Sequence, residues 1–288
     1  MHNTSLFLFA LVILGFGSAF SLTHVAVGAL PPLGVAAGRS FVALLGIGAF
    51  LVLRRRHLRL EINQIRIYIL IGMLTGVAPY TLISWGQKYI PSSLGGVLFA
   101  ASPLMTLMLG VALFKAPRPK PAALLGAAIG MTGVGLSFGS TSDLTGPFLF
   151  GALATLLAAA SYALGSLILQ RQRIADMVAF SAAQLVPATA MLFLIAWMAD
   201  GPSVLNIAHG VSLALIALGL VGTCVPVLSL FHLVAREGAQ AAALTTFFIP
   251  FAAVAIGVGL LGESFPPRAF IGLLAVVLGS VLIVRNQR

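Results

Sequence analysis

The chain has 288 residues, 60% of them apolar, and only 8% carry a charge, as 16 Lys and Arg and 6 Asp and Glu, against about 25% in an ordinary soluble domain. So few charges cannot tile a water-exposed surface, and a mean hydropathy of +1.10 with one cysteine, Cys224, excludes a soluble globular enzyme, a disordered chain and a disulfide-stapled secreted domain. The net charge of +10 would point to nucleic acid in a soluble protein; here the basic residues sit in short gaps between apolar runs and read as a topology signal, with no nucleic-acid partner.

Apolar runs bounded by charge, Pro or polar clusters predict ten helices: 5–27, 31–53, 65–87, 92–114, 120–139, 147–169, 177–199, 210–234, 239–261 and 268–285. Each is close to the roughly 20 residues that cross a bilayer core, and none has the period-two alternation of a barrel strand. The first run opens on Met1-His2-Asn3-Thr4-Ser5, without the Lys or Arg of a signal peptide, and is too long for its apolar segment. It reads as a retained helix, despite the small-residue stretch Val27-Gly28-Ala29.

With the N-terminus inside, the inner loops collect Arg54, Arg55, Arg56, Arg59, Arg66, Lys115, Arg118, Lys120, Arg171, Arg173, Arg236, Arg285 and Arg288, which is 13 of the 16 basic residues. Lys88 and Arg268 fall outside, and Arg39 lies within a helix. This bias predicts both termini on the cytoplasmic side of the membrane.

The chain also repeats itself. A shift of 147 carries Pro79 onto Pro226 and Pro103 onto Pro250; a shift of 146 carries Gly126 onto Gly272 and Gly133 onto Gly279. A shift of 145 sets Ala37-Gly38-Arg39 on Ala182-Ala183-Gln184. For helices 1 and 6 two registers compete, Phe16-Gly17-Ser18 on Ser161-Tyr162-Ala163 or Gly17-Ser18 on Gly165-Ser166. Each unit, 1–142 and 143–288, holds five helices, an odd number, so the second starts on the opposite side of the membrane. The fold class expected is therefore all-α and polytopic, ten transmembrane helices as two inverted five-helix repeats, the architecture of a secondary transporter with its site near the midplane.

Ten helices in this order, the Gly17-Ser18 pair, mid-helix Pro103 and Pro250, and Gly262-Glu263 before a glycine-marked last helix resemble the drug/metabolite transporter superfamily, EamA type. The resemblance spans essentially the whole chain. It implies a basket of helices 1, 3, 4, 6, 8 and 9 around a central cavity, helices 5 and 10 at the periphery, and an exporter, with a looser similarity to the amino-acid branch. Where the family often has an acidic residue after helix 4, this chain has Lys115-Ala116-Pro117.

Taken along the chain, the candidate cavity residues are Phe16 and Ser18 in helix 1, Tyr80 after Pro79, Phe99 and Ser102 before Pro103, Tyr162 and Ser166 in helix 6, and Thr245, Thr246 and Phe248 before Pro250. Hydroxyls and freed carbonyls suit the head group of a zwitterion, and rings suit its apolar tail. Tyr80 and Ser102 are the first choices, although each residue taken singly also fits helix packing. Pro79, Pro103, Pro226 and Pro250 each free a carbonyl one turn earlier and serve as hinges or cavity-lining kinks. Arg39, an intramembrane charge costing at least about 2.5 kcal/mol unpaired, reads as a gate or a contact to a substrate carboxylate, or as a packing residue bonded to helix-end carbonyls.

Trp85 and Trp197 sit at helix ends as interface anchors, His24 and His232 as hydrogen-bonded structural groups. The pairs Gly34/Gly38, Gly72/Gly76 and Gly126/Gly130 allow close helix approach within the chain, with a dimer face on helix 5 as the alternative. No Asp or Glu falls inside a predicted helix, and no metal-ligand spacing or P-loop is present. No catalytic residue, metal or cofactor is expected. The expected function is export of small metabolites, chiefly amino acids including aromatic or hydrophobic ones, by a monomer or weak homodimer. The alternatives are a multidrug or nucleotide-sugar carrier of the same fold, or a membrane-embedded lipid-modifying enzyme.

Overall fold

The computed structural model describes residues 3–55, 64–114, 119–138, 146–172, 174–201 and 213–286. Arg56, Arg59, Lys115, Arg118, Arg173 and Arg288, part of the loop-charge reading, lie outside the described residues. Ten helices are present among those described: α1 Asn3–Ala29, α2 Pro32–Leu53, α3 Ile65–Gln87, α4 Ser92–Phe114, α5 Pro121–Leu136, α6 Gly146–Leu169, α7 Met177–Asp200, α8 Leu213–Gly238, α9 Gln240–Leu261 and α10 Pro267–Asn286. All but α5 are long and apolar enough to cross a membrane. Outward-facing Leu6, Phe7 and Leu14 on α1, and Ile271, Leu274 and Leu278 on α10, show what such helices present to lipid.

Local chemistry sets the helix ends. Prolines open α2, α5 and α10, where the missing N–H costs nothing. Asp176 caps α7 by accepting from the N–H groups of Val178 at 3.0 Å and Ala179 at 3.1 Å. Gly238, at φ +83°, separates α8 from α9. Gly262, at φ +67°, ends α9, and the Glu263 N–H then turns back to the Gly257 carbonyl at 3.1 Å.

The two halves are matched in detail. A π turn interrupts α3 at Met73–Val77 and α8 at Leu220–Cys224, the same segments under the 147-residue shift, each directly ahead of its proline at Pro79 or Pro226. In α5 and α10, a Cβ on Gly126 would lie 2.7 Å from the Gly279 carbonyl, and one on Gly133 would lie 2.7 Å from the Gly272 carbonyl. Under the 146-residue shift Gly126 corresponds to Gly272 and Gly133 to Gly279, so the contact exchanges partners as a twofold axis requires.

The match fails in the middle of α4. α4 breaks at Ala100 and Ala101 ahead of Pro103, whereas α9 runs through Pro250 without interruption. The freed groups at the break are satisfied: Ser102 Oγ donates to the Phe99 carbonyl at 2.5 Å, and Ser280 Oγ of α10 donates to the Ala100 carbonyl at 3.2 Å.

Candidate functional site

A cavity of about 460 Å³ lies between the two halves, within the roughly 300–1,000 Å³ of small-molecule sites. Every helix except α5 contributes to its wall. This widens the expected basket, because α2, α7 and α10 supply Arg39, Gln184 and Ser280. From α6 to α10 the lining residues fall in the halves nearer the face that carries the C-terminal end of α10, reaching Leu169, Met177 and Val284. The cavity therefore extends from mid-depth toward the face where α1 begins and α10 ends.

Toward the opposite face, helices of the two halves are joined by a polar cluster. Glu263 Oε1 accepts from the Ser92 N–H at 2.7 Å and Glu263 Oε2 from the Ser93 N–H at 2.9 Å, so a carboxylate of the second half caps the first turn of α4. Burial alone would raise the Glu263 pKa; hydrogen bonds from Ser93 and Ser92 outweigh it and hold the carboxyl below its ordinary value. Ser21 and Ser92 share a hydroxyl hydrogen bond at 3.1 Å, and His24 Nδ1 donates to the Gln87 carbonyl at 2.8 Å. A Cβ at Gly257 would lie 2.6 Å from Glu263 Oε2, so a side chain there would push the carboxylate from this position.

Of the residues singled out in the sequence, Phe16, Tyr80, Phe99, Ser102, Tyr162, Ser166, Thr245 and Thr246 line the cavity, with Arg39, Pro79, Pro103 and Pro250. The Phe99 ring bridges those of Phe20 and Tyr162, with centroids 5.8 Å away in each case. Ser18, Phe248 and Pro226 are not in the wall. Ser18 Oγ donates to the Gly15 carbonyl at 2.9 Å. Phe248 is half exposed and meets the Phe9 ring edge-on at 5.9 Å, while its neighbour Phe247 turns inward. Pro226 packs behind the wall against Gly15, where a Cβ would come within 2.9 Å of its ring.

Arg39 is buried at 7% exposure and is not a surface residue reaching for helix ends. Its Nε donates to Thr223 Oγ1 at 2.9 Å, and Thr223 in turn donates to the Leu218 carbonyl at 3.1 Å across the α8 π turn. The guanidinium carbon lies 4.2 Å from the centroid of the Tyr80 ring, just past the α3 π turn. The residue matched to Arg39 under the 145-residue shift, Gln184, accepts from Thr75 Oγ1 of the α3 π turn at 3.3 Å. Sequence reasoning missed Thr75, Thr223 and Gln184 as a set. The signal available was the pairing of Arg39 with Gln184 in the repeat. π turns cluster at functional sites because they redirect side chains, and these two carry the threonines that both cross-half bonds use.

A model of the EamA-like transporter family matches residues 3–139 and again residues 149–285. The "Uncharacterized inner membrane transporter YedA" of Escherichia coli (strain K12) is 26% identical over 282 residues, covering 97% of this chain and 90% of that protein. "Protein PagO" of Salmonella typhimurium (strain LT2) is 24% identical, covering 97% and 93%. The "Probable terminal-alkyne amino-acid exporter" of Streptantibioticus cattleyicolor is 24% identical over 216 residues, covering 74% and 71%. A solved structure described as "Crystal structure of protein" shares the fold, with a TM-score of 0.64 at 18% identity and 99% of each chain covered.

Proposed function

From the premise that the chain belongs to the EamA-like transporter family, we propose that it exports small metabolites, chiefly amino acids with hydrophobic or aromatic side chains, by alternating access across a bacterial inner membrane. Both termini are cytoplasmic in this reading, so the cavity opens inward and the Glu263 cluster seals the outer end. The observation that carries the proposal is the cavity itself. It lies between inverted halves, is lined by rings and hydroxyls, and extends toward one face, while a hydrogen-bonded Glu263 cluster joins the helices toward the other. Support for amino acids comes from the chemistry of that wall and from the name of one relative.

The protein works without a cofactor, as a monomer or weak homodimer. The Gly126 and Gly133 positions of α5 support this, because α10 of the same chain already packs against them. The test is a panel of radiolabelled amino acids, drugs and sugars in liposomes containing only this protein. Hydrophobic amino acids are expected to move, and Tyr80→Ala and Ser102→Trp to reduce their flux by at least fivefold in a well-folded protein. Unchanged flux in both variants would refute the cavity assignment.

A further inference from the structure

Among the described residues, the wall of the cavity holds one formal charge, that of Arg39. No Asp or Glu is among the described residues that line it. The described acids are committed elsewhere or lie at helix ends: Asp176 caps α7, Glu263 caps α4, Glu237 accepts from Ser5 Oγ at 2.5 Å, and Asp200 ends α7. Arg39 uses Nε for Thr223 and one face for Tyr80. Its two Nη nitrogens have no hydrogen-bond partner among the described residues, and the side chain borders the cavity. A guanidinium held at one edge and one face keeps its outer pair of N–H groups in the fork geometry that a carboxylate accepts bidentately. An unpaired cation at this depth is costly, and a carboxylate entering the cavity relieves that cost, which an uncharged ligand cannot do.

We infer that Arg39 is the carboxylate-binding group of the cavity, and that a carboxylate, not an ammonium, defines the substrate class. An amino acid would place its carboxylate on the Arg39 fork. Its ammonium would find hydroxyls and aromatic faces but no counter-charge. A hydrophobic carboxylic acid without an amino group therefore binds as well as the amino acid, and an amine without a carboxylate is repelled by the guanidinium. The rings of Phe16, Phe99 and Tyr162 take the apolar tail in either case. This inference rests on the transport reading above and narrows it.

The test uses the full chain in liposomes with four probes sharing one ring: L-phenylalanine, 3-phenylpropionate, phenylalanine amide and phenethylamine. Each competes against labelled phenylalanine efflux and is measured in binding to the purified protein. Phenylalanine and 3-phenylpropionate are expected to compete within threefold of each other, and the amide and amine at least tenfold more weakly. Arg39→Gln is expected to abolish that discrimination and weaken both carboxylates at least tenfold, with Arg39→Lys restoring part of it. Competition by phenethylamine equal to that of 3-phenylpropionate, with phenylalanine efflux intact, would overturn the inference and leave the transport reading standing. A chain that moves neither phenylalanine nor 3-phenylpropionate would fail both. The wild-type comparison decides the matter even where Arg39→Gln folds poorly, and oleate as a fifth probe separates a soluble acid from a lipid one: tighter competition by oleate than by 3-phenylpropionate would overturn the soluble-acid assignment.

Discussion

Arg39 in α2 and Gln184 in α7 stand at matched positions of the two halves, and each is bonded to a threonine in the other half's π turn. Arg39 reaches Thr223 in α8, and Gln184 receives Thr75 of α3. The two bonds span the seam between the repeats on either side of the cavity. One end of the pair is charged and the other neutral, so the scaffold is symmetric and its electrostatics are not.

That asymmetry predicts unequal costs. Thr223→Val removes the acceptor of a charged donor, worth about 1.5–3 kcal/mol, whereas Thr75→Val removes a neutral bond worth about 0.5–1.5 kcal/mol. Thermal unfolding of both variants in one detergent should show the larger drop for Thr223→Val. Equal drops would mean that Arg39 finds a replacement partner.

Glu263→Gln should loosen the closed face, because an amide cannot accept from both Ser92 and Ser93 N–H groups as a carboxylate does. With Ala19→Cys as reporter in a Cys224→Ser background, a membrane-impermeant maleimide added from the outer face should react several-fold faster in the variant. No change in rate would remove Glu263 from the seal.

The same carboxyl gives the seal a pH dependence of known sign. Its folded pKa lies below the ordinary value, so its contribution is complete above about pH 4.3, the ordinary glutamate value, and is lost as pH falls through the folded pKa. Labelling of the Ala19→Cys reporter, taken at each pH relative to a free thiol in the same buffer so that thiol titration cancels, should stay slow and flat from pH 8 to 5 and rise only in more acidic buffer. A rise near neutrality would implicate another group.

Gly133→Leu should overpack the α5 and α10 contact, where a Cβ already meets the Val276 N at 2.6 Å. A cost of about 1–3 kcal/mol is expected, read as a lower melting temperature. The same substitution at Gly135, with nothing within 4 Å of its Cβ position, serves as the control.

With no carboxylate in the described wall, exchange of labelled for unlabelled substrate should proceed without an imposed proton gradient. Strict dependence of that exchange on an imposed pH difference would show that protons are coupled through a group other than a wall carboxylate.

The fold was largely legible. Predicted and observed helix ends agree within about four residues, since apolar runs interrupted by charge report span length directly. The pairing of Gly126 with Gly279 was half visible, as the glycines gave the repeat but not the exchange of partners. The site was legible where residues flank prolines, as with Tyr80 and Ser102. It was not legible at Phe248 and Phe247, because adjacent identical residues leave no chemical sign of which one turns toward lipid. Arg39 was visible as an anomaly, but its partners lie 184 and 41 positions away in sequence at Thr223 and Tyr80, in contacts that only the tertiary fold creates.

Each π turn inserts one residue into a helix that otherwise advances about 100° per residue. Everything beyond Val77 in α3 and beyond Cys224 in α8 is thus rotated by one step relative to an uninterrupted helix. Straightening the first turn would swing Tyr80 off the face of Arg39, and straightening the second would withdraw Thr223 from its Nε. The composition of the cavity wall is consequently set by counting as much as by chemistry: deleting a single residue between Gly72 and Ala78 would rearrange the wall more than replacing any side chain in it.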